Sequence, residues 1–316
     1  MSQITNGSAA LATGRAVSAH QHPSFDTRER QLIVTGVTAL TPTITNFVFA
    51  DPLGRMLTSY QPGSHLIIQA GATRNTYSLI GDGVNPRTYA ISVLRRGGAG
   101  GSDWLHDNIY PGMSVTIEGP RSLFAPHTIE TNSLLVAGGI GVTPILSHAR
   151  AASRWGKTAE VVYTYRPGFG AHLHDLRSLA ETGAITLYEA QNQRAAAELL
   201  KQRFADQPMG THAYACGPIS MLDTYLMLGT EAGWPKDRLH LERFEVAAQD
   251  PGAPFNATIA STGQRIAIPA GVSLLERLLE SGVPVSSLCR QGVCGECRIP
   301  IRSGAIEHRD YVLSDT

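Results

Sequence analysis

The chain has 316 residues, 26 Lys plus Arg against 26 Asp plus Glu, and a formal charge of zero with a pI near 7.2. That length predicts two or three domains rather than one small core, and the even charge offers no footprint for nucleic acid or an anionic membrane. Composition is globular but turn-rich, with 42% hydrophobic residues, 32 Gly and 18 Pro, and no apolar run approaches the ~20 residues of a bilayer span.

Residues 1–28 are rich in Ser, Ala, Thr, Gly and His and lack the apolar centre of a signal peptide, so they read as a disordered tail. With no export signal and clustered cysteines, a reducing cytoplasm is expected. From 29 to 128 the pattern is strand and turn. Residues 32–34, 45–49, 65–68 and 89–94 alternate or are β-branched, and Gly/Pro/Asp clusters separate them. Short strands at such spacing predict an antiparallel barrel.

The texture changes between 129 and 245. An apolar run at 133–137 leads into a glycine-rich turn at 138–144 and a helix to about Trp155. Strands are expected at 160–165, 184–188, 212–215 and 239–244. Helices are expected after His174, near 195–203, and over 219–230. Alternating strand and helix predicts a doubly wound α/β sheet, parallel and covered on both faces. Residues 246–253 read as a linker. The remainder, 254–316, carries strands at 255–259 and 265–268 and a helix over 273–280. Ser273 and Glu276 form a capping box at its start.

Three motifs point to ligands. Gly138, Gly139 and Gly141, with Thr143 and Pro144, follow a buried strand and open a helix, where free N–H groups and the helix dipole suit a pyrophosphate. Cys216-Gly217-Pro218 closes a later strand at the same sheet edge. In the barrel half, Arg74, Tyr77 and Ser78 lie on one strand, and a glycine-rich loop ends at Gly101-Ser102, a natural phosphate cradle at a helix start.

The fourth motif is Cys289, Cys294 and Cys297, three of the four cysteines, spaced C-x4-C-x2-C. This is the spacing of the first three ligands of a plant-type [2Fe–2S] cluster. Gly292 and Gly295 let the backbone bend around the sulfides. A zinc site is the alternative, although no second ligand pair is present. Inert buried thiols are another, for which a polar glycine-rich loop is a poor setting.

In this combination and order the chain resembles the phthalate dioxygenase reductase family, which includes the vanillate demethylase reductases, from about Arg30 to Thr316. The resemblance implies an antiparallel flavin barrel, a nicotinamide-binding domain, and an α+β (β-grasp) plant-type ferredoxin domain. It implies a reductase that takes a hydride from NADH onto FMN and passes single electrons through [2Fe–2S] to a Rieske-type oxygenase. Tyr77-Ser78 matches the flavin motif, with Arg74 three residues upstream where the family has two. Gly101-Ser102 matches the FMN-phosphate loop, and residues 138–144 match the nucleotide turn. Thr143 and Cys216 are implied at the nicotinamide, and Phe244 near the flavin ring.

FMN is expected over FAD because residues 123–126 offer no adenine platform. NADH is expected over NADPH on family grounds, although Arg166 is placed to favour a 2′-phosphate. The family's fourth cluster cysteine lies roughly thirty residues past the third, beyond Thr316, so a chain truncated in its ferredoxin domain is expected. The other reading is an NAD(P)H:flavin reductase without a working cluster. A monomer is expected in either case.

Overall fold

In the computed structural model, the described residues are 28–98, 100–245, 250–288, 292–293, 295–304, 306–310 and 312–313. The expected tail at 1–28 lies outside them except for Arg28, as does half of the expected linker, at 246–249.

Strands β1 (Glu29–Ala39), β2 (Ile44–Ala50), β3 (Ser64–Ala70), β4 (Thr73–Ser78), β5 (Thr88–Leu94) and β6 (Ser114–Ser122) form one antiparallel sheet in the order β4-β3-β6-β1-β2-β5. Leu79 bridges Ile91, which joins the two edges and curls the sheet into a barrel. Every second side chain points inward, so Leu32 and Val34, Phe47 and Phe49, and Val115 and Ile117 fill the interior. Helix α1 (Gly101–Asn108) adds Leu105 to this core. Strand β6 was not expected from the sequence: Thr116, Glu118 and Gly119-Pro120 dilute its apolar signal, yet it is central, pairing with both β1 and β3.

Strands β7 (Asn132–Gly138), β8 (Thr158–Thr164), β9 (Thr186–Ala190), β10 (Thr211–Cys216) and β11 (Leu239–Glu242) form a parallel sheet in the order β11-β10-β7-β8-β9. Helices α2 (Val142–Trp155) and α3 (Leu173–Glu181) cover one face, while α4 (Gln193–Ala205) and α5 (Ile219–Glu231) cover the other. Alternation divides each strand between two cores: Leu135 and Ala137 face α2, whereas Leu134 and Val136 face α5. Ile44, Ile80 and Phe124 of the barrel join the α2-side core, so the two domains share apolar packing. The strand expected over 239–244 stops at Glu242, and that expected over 184–188 begins at Thr186. Beyond Glu242 the chain leaves the sheet, which turns Phe244 toward the barrel.

Strands β12 (Phe255–Thr258) and β13 (Arg265–Ile268) pair antiparallel and pack with α6 (Leu274–Glu280) around Ile266, Ile268 and Leu278. The capping box is formed: the Glu276 N–H donates to Ser273 Oγ at 3.1 Å and the Ser273 N–H to Glu276 Oε2 at 3.2 Å. The fold is thus an antiparallel barrel, a doubly wound α/β domain and a small α+β ferredoxin-type domain. No helix among the described residues is long and apolar enough to cross a membrane.

Candidate functional site

A cavity of about 490 Å³ opens where the three domains meet. The barrel contributes the end of β4 and the start of α1, the parallel sheet contributes Thr143 and the residues after β11, and the third domain contributes Leu288 and Val293. Its volume lies in the range of small-molecule and cofactor sites.

On the barrel side, Arg74, Tyr77, Ser78, Gly101 and Ser102 all line this cavity. The Tyr77 hydroxyl lies 3.5 Å from Ser102 Oγ, and burial pushes its pKa up to about 12, so it stays a neutral phenol. Helix α1 has no side-chain cap, so its first N–H groups remain available to an anion. Asp103 holds the preceding loop in place, its carboxylate accepting from the N–H groups of Arg96, Gly97 and Gly98 at 3.0, 3.1 and 2.7 Å. Gly101 sits close to β4: a Cβ there would stand 2.3 Å from Asn75 Oδ1, so that side chain would have to move. Arg74 is ion-paired to Glu118, which also pairs with Arg121. It therefore reaches the cavity wall with its charge already shared.

On the nucleotide side, the two glycine turns pack against each other. A Cβ on Gly138 would lie 2.7 Å from Pro218 Cδ, and one on Gly141 would lie 2.1 Å from the Cys216 carbonyl oxygen. Gly139 has φ 52°, and a Cβ on Gly217 would meet Gly138 at 3.0 Å. Helix α2 starts at Val142 without a side-chain cap, with Thr143 and Pro144 buried in its first turn. Thr143 lines the cavity and donates from Oγ1 to the Ile140 carbonyl at 3.1 Å.

Cys216, expected at the nicotinamide, ends β10 with its backbone against Gly141 of the first glycine turn. It is fully buried in the sheet core and is not part of the cavity wall. Burial raises its pKa well above the ordinary thiol value. Its contribution is the carbonyl that seats Gly141. Phe244 does line the cavity, beside Glu242 and Arg243, which the sequence reading did not single out. Glu242 as a residue is half-buried, but its Oε2 is inaccessible and has no hydrogen-bond partner among the described residues. Burial raises its carboxyl pKa to about 8.

Asn75, Ser92 and Arg96 also line the cavity without having been expected. Arg96 had a signal: a cation between a strand and a glycine-rich loop is where a phosphate would be met. Arg96 also bridges Glu245 at 2.8 Å.

Cys289 and Cys294 lie outside the described residues, but their neighbours Leu288 and Val293 reach the cavity wall. Gly292 and Gly295 take φ of 70° and 71°, the left-handed turns a cluster loop needs, and Cys297 is half-buried. Asp310 braces this loop from behind. Its Oδ1 accepts from the N–H groups of Val312 and Leu313 at 2.8 and 2.6 Å, and a Cβ on Gly292 would touch its Cβ at 2.9 Å. Among the described residues no group of three His, Cys, Asp or Glu is placed to hold a metal. The residues present fit a flavin with its phosphate at α1, and the left-handed Gly292 and Gly295 with half-buried Cys297 fit a cluster loop.

Residues 114–239 match the model of the dimethylamine monooxygenase subunit DmmA-like N-terminal domain, and residues 257–316 match the 2Fe-2S iron-sulfur cluster binding domain. The chain is 37% identical over 284 residues to the heme-dependent oxidative N-demethylase beta subunit of Ectopseudomonas mendocina, covering 89% of this chain and 90% of that one. It is 32% identical over 278 residues to the phthalate dioxygenase reductase of Burkholderia cepacia, covering 86% of each. The crystal structure of phthalate dioxygenase reductase superposes with a TM-score of 0.72 at 30% identity, covering 91% of both chains. Fold, cavity and sequence relationship agree, and the chain belongs to the phthalate dioxygenase reductase family of flavin- and [2Fe–2S]-dependent oxygenase reductases.

Proposed function

We propose that this chain is the reductase of an oxygenase system, taking two electrons from NADH through FMN and a [2Fe–2S] cluster and delivering them singly to a Rieske-type oxygenase. One observation carries the reading. A single cavity is walled by the candidate flavin residues Tyr77, Ser78 and Ser102, by Thr143 of the nucleotide domain, and by Leu288 and Val293 beside the candidate ligands Cys289 and Cys294. This shared wall supports adjoining seats for hydride donor, flavin and cluster.

When bound, the flavin accepts a hydride and parts with single electrons; the protein positions and insulates it. Tyr77 and Ser78 hold the ring and its side chain, and the start of α1 with Arg96 holds the phosphate. Gly138, Gly139, Gly141, Pro144, Gly217 and Pro218 form the platform on which the nucleotide lies, and Phe244 covers the flavin face. All three redox stations sit in one chain, which supports a monomer, and NADH as donor supports a cytoplasmic setting.

A second reading of the partner has its own support. The relative with 37% identity is a subunit of a heme-dependent N-demethylase, and the match over 114–239 is to a dimethylamine monooxygenase subunit. On that reading the electrons go to a haem-containing amine demethylase.

The test of the electron path is Cys289→Ser. NADH should still bleach the flavin, while reduction of cytochrome c, a one-electron acceptor, should be lost. Equal loss of both steps would refute the division of labour. Copurified oxygenase subunits, examined for haem or Rieske absorption, distinguish the two partners.

A further inference from the structure

The feature that the proposed electron path leaves unexplained is a cluster of charges between the barrel and the third domain. Arg121, at the end of β6, has a side chain only 12% exposed. Its Nη2 pairs with Glu118, which Arg74 also pairs with, and its Nη1 lies 2.9 Å from Oε2 of Glu296. Glu296 stands directly before Cys297 in the cysteine loop, and its other oxygen accepts from the Ser286 hydroxyl at 2.7 Å. Arg121 and Glu296 are 175 residues apart in the chain.

Two physical arguments give this contact a purpose. The Arg121 side chain is 12% and that of Glu296 32% exposed, so the pair is partly withdrawn from water and its attraction is screened less than that of a surface pair. Electron tunnelling falls off steeply with distance, so whatever fixes the cysteine loop on the flavin cavity sets the rate of the inter-domain step. Leu288 and Val293 of this loop line the cavity.

We propose that Arg121 is a positioning residue for electron transfer: braced by Glu118, its guanidinium draws Glu296, and with it the cysteine loop, onto the flavin cavity. This rests on the reading of the chain as a flavin-to-cluster conduit. It adds that the seat is electrostatic and lies in one Arg–Glu contact between the barrel and the cysteine loop. Arg121 touches neither substrate nor reacting atoms and acts through the loop.

The test uses the Glu296 side, because changing Arg121 would also remove one of the two guanidinium partners of Glu118 in the barrel. In the holoprotein, stopped-flow absorbance separates flavin bleaching by NADH from cluster reduction by the flavin. Glu296→Arg should leave bleaching within about twofold of the parent and slow cluster reduction by about tenfold or more. Glu296→Gln should be intermediate, and Glu296→Asp should recover most of the rate. The second readout needs no cofactor: small-angle scattering of the apoprotein should show a larger radius of gyration for Glu296→Arg. The proposal fails if cluster reduction and scattering in Glu296→Arg both match the parent. It also fails if a changed cluster midpoint potential accounts for the whole rate loss, which would make Glu296 a tuner of potential. Absence of flavin bleaching in the parent would overturn the electron path itself, not the seat.

Discussion

Ser92 Oγ and His172 Nε2 lie 2.8 Å apart across the seam between the barrel and the parallel sheet. His172 Nδ1 lies 2.8 Å from Asp175 Oδ2, and Asp175 Oδ1 accepts from Arg150 at 2.6 Å. Arg150 in turn donates to the Ile80 carbonyl of the barrel at 2.8 Å, and Ser147 donates to that of Gly81 at 2.6 Å. With Nδ1–H donating to Asp175, Nε2 accepts the Ser92 hydroxyl proton.

Ser92→Ala should therefore cost about 1–3 kcal/mol, the usual penalty for leaving a buried partner unsatisfied, measured by chemical denaturation of the apoprotein. His172 has φ 59°, a left-handed conformation that Asn and Gly adopt readily. His172→Asn should accordingly be milder than His172→Val. The His172 hydrogen bond holds the Asp175 carboxyl below its ordinary range, with Arg150 assisting against the opposing effect of burial. A depressed carboxylate stabilises above its unfolded pKa of ~3.9. That contribution is lost as pH falls through the lower folded value, and Asp175→Asn should flatten this acid limb.

Glu242 has the opposite sign. Burial raises its pKa from 4.5 to about 8, so the folded chain keeps a proton that the unfolded chain releases. Its stability contribution is complete below pH 4.5, declines as pH rises, and is fully lost above about 8. Melting temperatures of the apoprotein across that window should fall less for Glu242→Gln than for the parent. Parallel curves for the two proteins would show that Glu242 is ionised in the fold.

Cys216 should resist alkylation by iodoacetamide in the native protein, because its thiol is fully buried and its pKa is raised. Peptide mapping should find it modified only after denaturation. Labelling at the same rate as an exposed thiol would mean that the Cys216-Gly217-Pro218 turn opens.

Gly141→Ala places a methyl group 2.1 Å from the Cys216 carbonyl oxygen, and both neighbours are backbone. The two turns must separate, at a cost of about 1–3 kcal/mol or more. Binding of NADH, measured by titration calorimetry, should weaken along with stability. Gly156→Ala is the contrast. It meets nothing within 4 Å, so its cost comes only from its φ of 63°.

Local spacing made much of this protein legible in its sequence. The candidate site motifs, the Tyr77-Ser78 pair, the glycine turns at 138–141 and 216–218, and the cysteines at 289, 294 and 297, are each spelled within a few residues of chain. The same holds for the alternation that builds the barrel and for the Ser273–Glu276 capping box. Strand β6 was hidden because its centre is polar and its end is Gly-Pro, features that only its neighbours β1 and β3 compensate.

Tertiary structure alone decided the rest. It enclosed the Cys216 thiol in the sheet core, because strand alternation turns Tyr214 and Cys216 toward α2 and the barrel. It joined Ser92 to His172 and Arg121 to Glu296, pairs 80 and 175 residues apart. Side-chain chemistry over a short stretch of chain is written in residue order, whereas the seating of one domain on another depends on which surfaces the folded cores leave facing each other.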